Sequence, residues 1–347
     1  MGARPAWTRR AFARLLAGGA GATVAALATR SLVGAATPKA RDKVVLATGF
    51  VPNVQFAPYY LAMDRGYYSA AGIDVSIKNG ASADLLQQVG RSGIDFAITG
   101  GDALVPARVA GIPVTYVMAQ FQKYPVGAMT IVGKGPALHT PADLKGKKIG
   151  VSAPNGSTYI GLLALLHAAK LTTKDVQVIS IGFTEVEALQ QRRVDAAMTF
   201  LTNEPVQVRA LGFQVETLAV ADYVHLVSTG LATSDDLIRR DPDLVQRFVS
   251  ATLRGLRDTQ DDADAAFAAS LKRLPEIASD PQQVRIQRDV LTATLAFEQS
   301  PAGHPLGWSD PAAWQTTMNV LAETGLIGKS VDPTTCYTNR FATAARP

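Results

Sequence analysis

From about Lys43 onward the chain runs twice through one order of elements: strand, loop, helix, strand, helix, strand. In the first pass "KVVLAT" is a β-branched apolar run. Pro58 then suits the first turn of a helix "YYLAMDR" that ends at Gly66, and "GIDVSIK" alternates as a strand. A helix beginning near Ser82 in "SADLLQQVGRSG" and a strand "IDFAIT" complete it. The second pass is "ADLKGKKIGVS", "NGSTYIGLLALLHAAKL", "VQVISIG", "EVEALQQRRV" and "DAAMTF". Alternation of this kind predicts two α/β units with largely parallel sheets. Beyond about Ser234 the chain reads as mostly helical, with Asp241-Pro242 a good helix start, and the first unit is the expected support for that tail.

Charge is unevenly placed. The net +5 suggests an anionic partner, yet Arg4, Arg9, Arg10, Arg14, Arg30 and Lys39 stand in residues 1–40 without an acid, and taking those six charges from +5 leaves −1. A nucleic-acid partner is therefore not expected. Arg9 and Arg10 form a twin-arginine pair, Phe12 and Leu15 follow, and Leu15 to Thr29 is uncharged and mildly apolar, so residues 1–40 read as a twin-arginine export leader. A retained membrane anchor is the alternative, but 15 residues fall short of the ~20 that span hydrocarbon. Cleavage after Ala35 or Ala40 would release a soluble periplasmic protein. The single cysteine, Cys336, rules out an internal disulfide, and it does not stand where a lipoprotein leader needs one. His139, His167, His225 and His304 do not cluster as ligands, so no metal and no cofactor are expected.

In open α/β sheets ligands bind beyond the carboxyl ends of the strands. Four segments take such positions: "GFVPNVQFAPYY", "GGDA", "APNGSTY" and "FLTNEP", two from each half. A cleft between two lobes would be lined by all four. The first of them belongs to a stretch, residues 47–68, that holds six aromatic rings. Phe50, Phe56, Tyr59 and Tyr60 can stack on a conjugated ring while Pro52 and Pro58 stiffen the loop, although some of these rings must face the core. Tyr67 and Tyr68 read as core. Gly100, Gly101 and Gly156 allow close backbone approach at helix starts, where Asp102, Asn155 and Ser157 serve either as N-caps or as ligand contacts. Asn203 and Glu204 offer donors and acceptors suited to a heterocycle edge. Gln122, Lys123 and Tyr124 fall near the expected crossing between lobes.

"GFVPNVQFAPYYLAMDRGYYSAAGIDV", "TPADLKGKKIGV" and "GFTEVEALQQRRVDAAMTFLTNEPVQVRALG" together resemble the solute-binding proteins of ABC importers in the family related to thiamine-pyrimidine synthase. The resemblance runs from about 43 to 330. It implies a two-lobed periplasmic-binding-protein fold of type II, with a ligand cleft between lobes and crossings near 120–128 and 218–228. On that frame residues 41–123 form the first part of lobe 1, residues 124–222 lobe 2, and residues 223–347 the return to lobe 1 with the C-terminal helices. "VQFAPYY", "FQKYPV" and "TNEPVQ" are most similar to the branch proposed to bind riboflavin. Carried over by motif, Phe50, Asn53, Gln55, Phe56 and Tyr59 would form one wall and Asn155, Ser157, Tyr159, Asn203 and Glu204 the other.

Pyrimidine-precursor binders of the family have an Asp-His pair where this chain has Gln55-Phe56, and the synthases add a cysteine-rich iron motif that one cysteine cannot supply. The resemblance thus implies a monomeric binding protein that captures riboflavin, or alternatively a thiamine pyrimidine precursor, and delivers it to an ABC permease. An exported enzyme would need a nucleophile with a base, paired carboxylates or a metal set, and no motif assembles one. A sensor on the same fold is a third possibility.

Overall fold

The computed structural model describes residues 40–79, 84–154 and 156–346. The proposed leader, the helix start near Ser82 and Asn155 lie outside these residues. Among the described residues ten strands form two five-stranded sheets. The first contains β1 (Asp42–Ala47), β2 (Ile73–Lys78), β3 (Phe96–Gly100), β4 (Val114–Ala119) and β10 (Thr229–Ser234), in the order β2-β1-β3-β10-β4. The second contains β5 (Val126–Ile131), β6 (Lys148–Val151), β7 (Gln177–Ser180), β8 (Ala196–Phe200) and β9 (Val215–Ala219), in the order β7-β6-β8-β5-β9. The molecule is a two-lobed α/β protein, one lobe around each sheet.

The sheets are mixed, not simply parallel. β1 pairs in parallel with β2 and β3, and β6 with β7 and β8, as the repeated order predicts. β10 runs antiparallel between β3 and β4, and β5 antiparallel between β8 and β9. Each of these two strands is the first that the chain forms after passing from the other lobe. It therefore enters from the side where its neighbours end and must run against them. The pattern of apolar residues does not report this, because a buried strand reads alike in either direction.

The connections between sheets cover residues 120–125 and 220–228, and they lie side by side. The carbonyl of Thr229 accepts from the amides of both Gln120 and Phe121, at 3.0 and 2.9 Å, and Ser228 Oγ donates to the carbonyl of Lys123 at 2.9 Å.

The C-terminal helices cover the first sheet. Phe248, on the helix Pro242–Asp261, stacks on Phe96 of β3 with centroids 4.0 Å apart and on Tyr68 at 5.0 Å. Such pairs add about 0.5–1.5 kcal/mol beyond the apolar area they bury. Asp241 caps that helix by accepting from the amide of Leu244 at 2.9 Å. The same helix crosses Ala57–Asp64 so closely that a Cβ at Gly255 would lie 2.2 Å from the carbonyl oxygen of Pro58. Gly255→Ala is therefore expected to destabilise the protein by about 1–3 kcal/mol through overpacking, measured as a lower midpoint in urea unfolding.

Candidate functional site

A solvent-open cleft lies between the lobes. The loop after β1 gives it Phe50, Val51, Pro52 and Asn53, and the loop and helix after β8 give it Asn203, Glu204 and Gln207. The loop and helix after β7 add Phe183, Glu185, Val186 and Glu187, and the returning helices add Ile277, Gln283 and Gln287. Phe50 reaches across the cleft: its ring meets Phe183 edge-on with centroids 5.5 Å apart and lies 6.4 Å from Phe200. Gln55 also bridges the lobes, its Nε2 donating to Thr202 Oγ1.

Local structure holds these groups in place. Asn53 caps the short turn Val54–Phe56, its Oδ1 accepting from the amide of Gln55 at 2.9 Å while its Nδ2 donates to Gln55 Oε1 at 3.1 Å. Glu204 begins the helix Glu204–Ala210 and is fully engaged by its own lobe. Its Oε2 accepts from the amide of Phe200 at 2.9 Å and from Thr199 Oγ1, and its Oε1 accepts from Asn203 Nδ2 at 2.8 Å. Burial raises the Glu204 pKa above the ordinary carboxylate value against the pull of those hydrogen bonds. Glu185, which starts the helix Glu185–Gln190 and accepts from Ser152 Oγ at 2.9 Å, is pushed up to about 7 by burial, with the charge of Glu204 acting in the same direction.

The structure divides the residues that the sequence singles out. Phe50, Asn53, Asn203 and Glu204 line the cleft. Phe56 and Tyr59, expected in the aromatic wall, are 6% and 0% exposed and belong to the core of the first lobe, because the helix Ala57–Asp64 turns its first residues inward against Pro242–Asp261. Gln55 lies beside the cleft and spends its side chain on Thr202 and Asn53.

Gly101 serves close packing, since a Cβ there would fall 2.4 Å from that of Val227. Asp102 is wholly buried, not an N-cap: Gly100 holds that position, and Tyr124 Oη donates to Asp102 Oδ2 at 2.6 Å. The same Tyr124 hydroxyl lies 3.0 Å from the carbonyl oxygen of Ser157. Ser157 does not cap its helix either; Gly156 takes the N-cap position without a side-chain bond. Asp102, Tyr124 and Ser157 thus tie the lobes together behind the cleft. Tyr159 packs partly buried against the core of the second lobe.

Phe183, Glu185 and Glu187 escaped the sequence reading, although a signal for them existed. β7 is parallel to β6 and β8, so the loop after it also opens at the carboxyl edge of the sheet. Gln283 and Gln287 carried no comparable signal. They reach the cleft only because the helix Pro281–Leu295 packs beside the turn Val54–Phe56 and the helix Glu204–Ala210. Among the described residues no group of three or more His, Cys, Asp or Glu side chains is placed to hold a metal ion, and no helix is long and apolar enough to cross a membrane.

Behind the loop after β1 lies a buried polar cluster. Gln120 Nε2 donates to the carbonyl of Gln55 at 3.1 Å and to Glu298 Oε1 at 3.0 Å. Gln120 Oε1 and Glu298 Oε2 are buried without a protein partner, as is the hydroxyl of Tyr59. Two unpartnered acceptor oxygens on one linked pair call for a proton, and burial supplies the drive by raising the Glu298 pKa to about 8.

Three comparisons place the chain among known proteins. The profile of the family described as "NMT1/THI5 like" matches residues 53–266. The chain is 38% identical over 305 residues to the riboflavin-binding protein RibY of Chloroflexus aurantiacus, covering 86% of each chain. It is 22% identical over 307 residues to the 4-amino-5-hydroxymethyl-2-methylpyrimidine phosphate synthase of Legionella pneumophila, covering 87% of this chain and 92% of that one. Among solved structures, the periplasmic aliphatic sulphonate binding protein SsuA from Escherichia coli superposes with a TM-score of 0.65 at 17% identity, over 85% of this chain and 91% of that one. This likeness identifies the fold as that of the periplasmic binding proteins.

The Glu298 pair has a measurable consequence. The folded state keeps a proton on Glu298 up to about pH 8, whereas an ordinary glutamate releases it near 4.5, so stability falls as pH rises through that window, by at most about 1.4 kcal/mol per unit. Glu298→Gln, which presents an amide donor where the acid holds its proton, is expected to flatten this slope and raise the melting temperature at pH 8. A slope unchanged by the substitution assigns the effect to other groups.

Proposed function

The chain belongs to the NMT1/THI5-like family, and from that premise we propose that it is the extracytoplasmic solute-binding component of an ABC importer, with riboflavin as its ligand. The observation that carries this reading is the aromatic bridge across the cleft. Phe50 from one lobe meets Phe183 and Phe200 from the other, over a wall of carboxyl and amide groups. A flat conjugated ring entering there replaces ring contacts the protein already makes. Its edge finds Asn53, Asn203, Gln207 and Glu185, groups that both donate and accept when Glu185 is protonated. Contacts from both lobes favour the closed form, which docks on a membrane permease, and no bond is broken in the process. A monomer exported through the twin-arginine route fits this role.

The relative named a synthase supports a second reading, in which a thiamine pyrimidine precursor is bound or formed. Two features of this chain count against the enzyme. Gln55-Phe56 stands where the resemblance implies Asp-His for pyrimidine-precursor binders, with Phe56 in the core, and Cys336 is fully buried in a cluster with Trp314. A sulfonate, suggested by the fold neighbour's name, is disfavoured by a cleft whose charged groups are carboxylates.

Titration of the purified mature protein with riboflavin is expected to quench flavin fluorescence saturably at low micromolar concentration or below. Displacement by pyrimidine precursors in preference to riboflavin would transfer the assignment to them. Phe183→Ala, at a ring 61% exposed, is expected to weaken binding about tenfold without moving the melting temperature. Tyr59→Phe is expected to leave affinity and stability unchanged or to raise stability, because the hydroxyl it removes is buried without a protein partner. Loss of affinity in that variant would place the hydroxyl on the ligand.

A further inference from the structure

The charges around the cleft define a selectivity beyond the class of ring it accepts. Among its described lining residues Glu185, Glu187 and Glu204 carry carboxyl groups, and none is Lys, Arg or His. Two helix starts face the cleft, and the positive end of a helix draws negative groups. Both are short helices whose first residue is itself acidic, Glu185 in one and Glu204 in the other. The amide of Phe200, an anion-binding donor if it were free, is engaged by Glu204 Oε2 at 2.9 Å. The carboxyl groups also act on each other: Glu204 and Glu187 each oppose the ionisation of Glu185.

A phosphate monoester brings about −1.5 to −2 charges at neutral pH, and like charges in a cleft with low-dielectric walls repel more than in water. It would meet the carboxyl groups of Glu187, Glu204 and a Glu185 that is partly ionised near neutral pH, and among the described lining residues no counter-charge. An uncharged alcohol needs only the donors and acceptors that Asn53, Gln207, Gln283 and Gln287 present.

We infer that the cleft takes its heteroaromatic ligand as the uncharged alcohol and excludes the corresponding phosphate monoester. Where the surroundings hold the ester, a phosphomonoester hydrolysis must come before capture. In that step water attacks phosphorus, the P–O bond to the alcohol breaks, the alcohol oxygen takes a proton and inorganic phosphate leaves. The inference rests on the reading of the site as a heteroaromatic-binding cleft.

The test compares each alcohol with its own ester by calorimetry on the mature protein at pH 7.5: riboflavin with riboflavin 5′-phosphate, and 4-amino-5-hydroxymethyl-2-methylpyrimidine with its phosphate. For whichever alcohol binds, the ester is expected to be about 30-fold weaker or more, and the gap is expected to shrink as salt rises. Glu187→Lys, at an exposed position of the rim, is expected to narrow the ratio at least about threefold. An ester that binds as tightly as its alcohol overturns the selectivity and leaves the heteroaromatic reading standing. Failure of both alcohols to bind at millimolar concentration overturns that reading and the selectivity with it.

Discussion

The carbonyl of Thr229, accepting from two consecutive amides at Gln120 and Phe121, holds the two crossing segments side by side. Both passages of the chain between the lobes run through this junction. β5 and β10 begin beside it, each antiparallel to its neighbours. From the same segment the Gln120 side chain reaches the carbonyl of Gln55, so the loop that lines one wall of the cleft is fastened to the hinge. Glu298 holds Gln120 from the other side and extends that link to the C-terminal helices.

Two kinds of contact then span the gap. Behind the cleft, Asp102, Tyr124 and Ser157 make a buried link that is polar and specific in geometry. Within the cleft, Phe50 against Phe183 and Phe200 makes an apolar one, with the Phe183 ring exposed. The first suits a permanent attachment, because leaving a buried carboxyl unpaired costs a great deal. The second can be replaced by another flat ring at small cost. Carboxyl groups with raised pKa values gather around this second contact, a concentration of electrostatic strain more usual at functional sites than elsewhere.

The order of elements, the strands' apolar runs and the helix starts at Pro58 and Asp241-Pro242 were legible along the chain, because they depend on side-chain period and local backbone chemistry. The loops after β1 and β8 were legible as cleft-lining for the same reason, since a parallel strand followed by a polar loop announces its open end. Phe50, Asn53, Asn203 and Glu204 could thus be named in advance of any coordinates.

Tertiary structure decided the rest. Phe56 and Tyr59 look like Phe50 in sequence, yet the helix Pro242–Asp261, nearly two hundred residues away, buries them and leaves Phe50 free to cross the cleft. Gln283 and Gln287 became cleft residues through the docking of a distant helix, and Asp102 became a buried strut once Tyr124 was brought to it from the crossing segment. Local pattern determines which residues can face a cavity or a core. Only the packing of segments far apart in the chain determines which of the two each one meets, because burial is a property of what lies opposite and not of the residue itself.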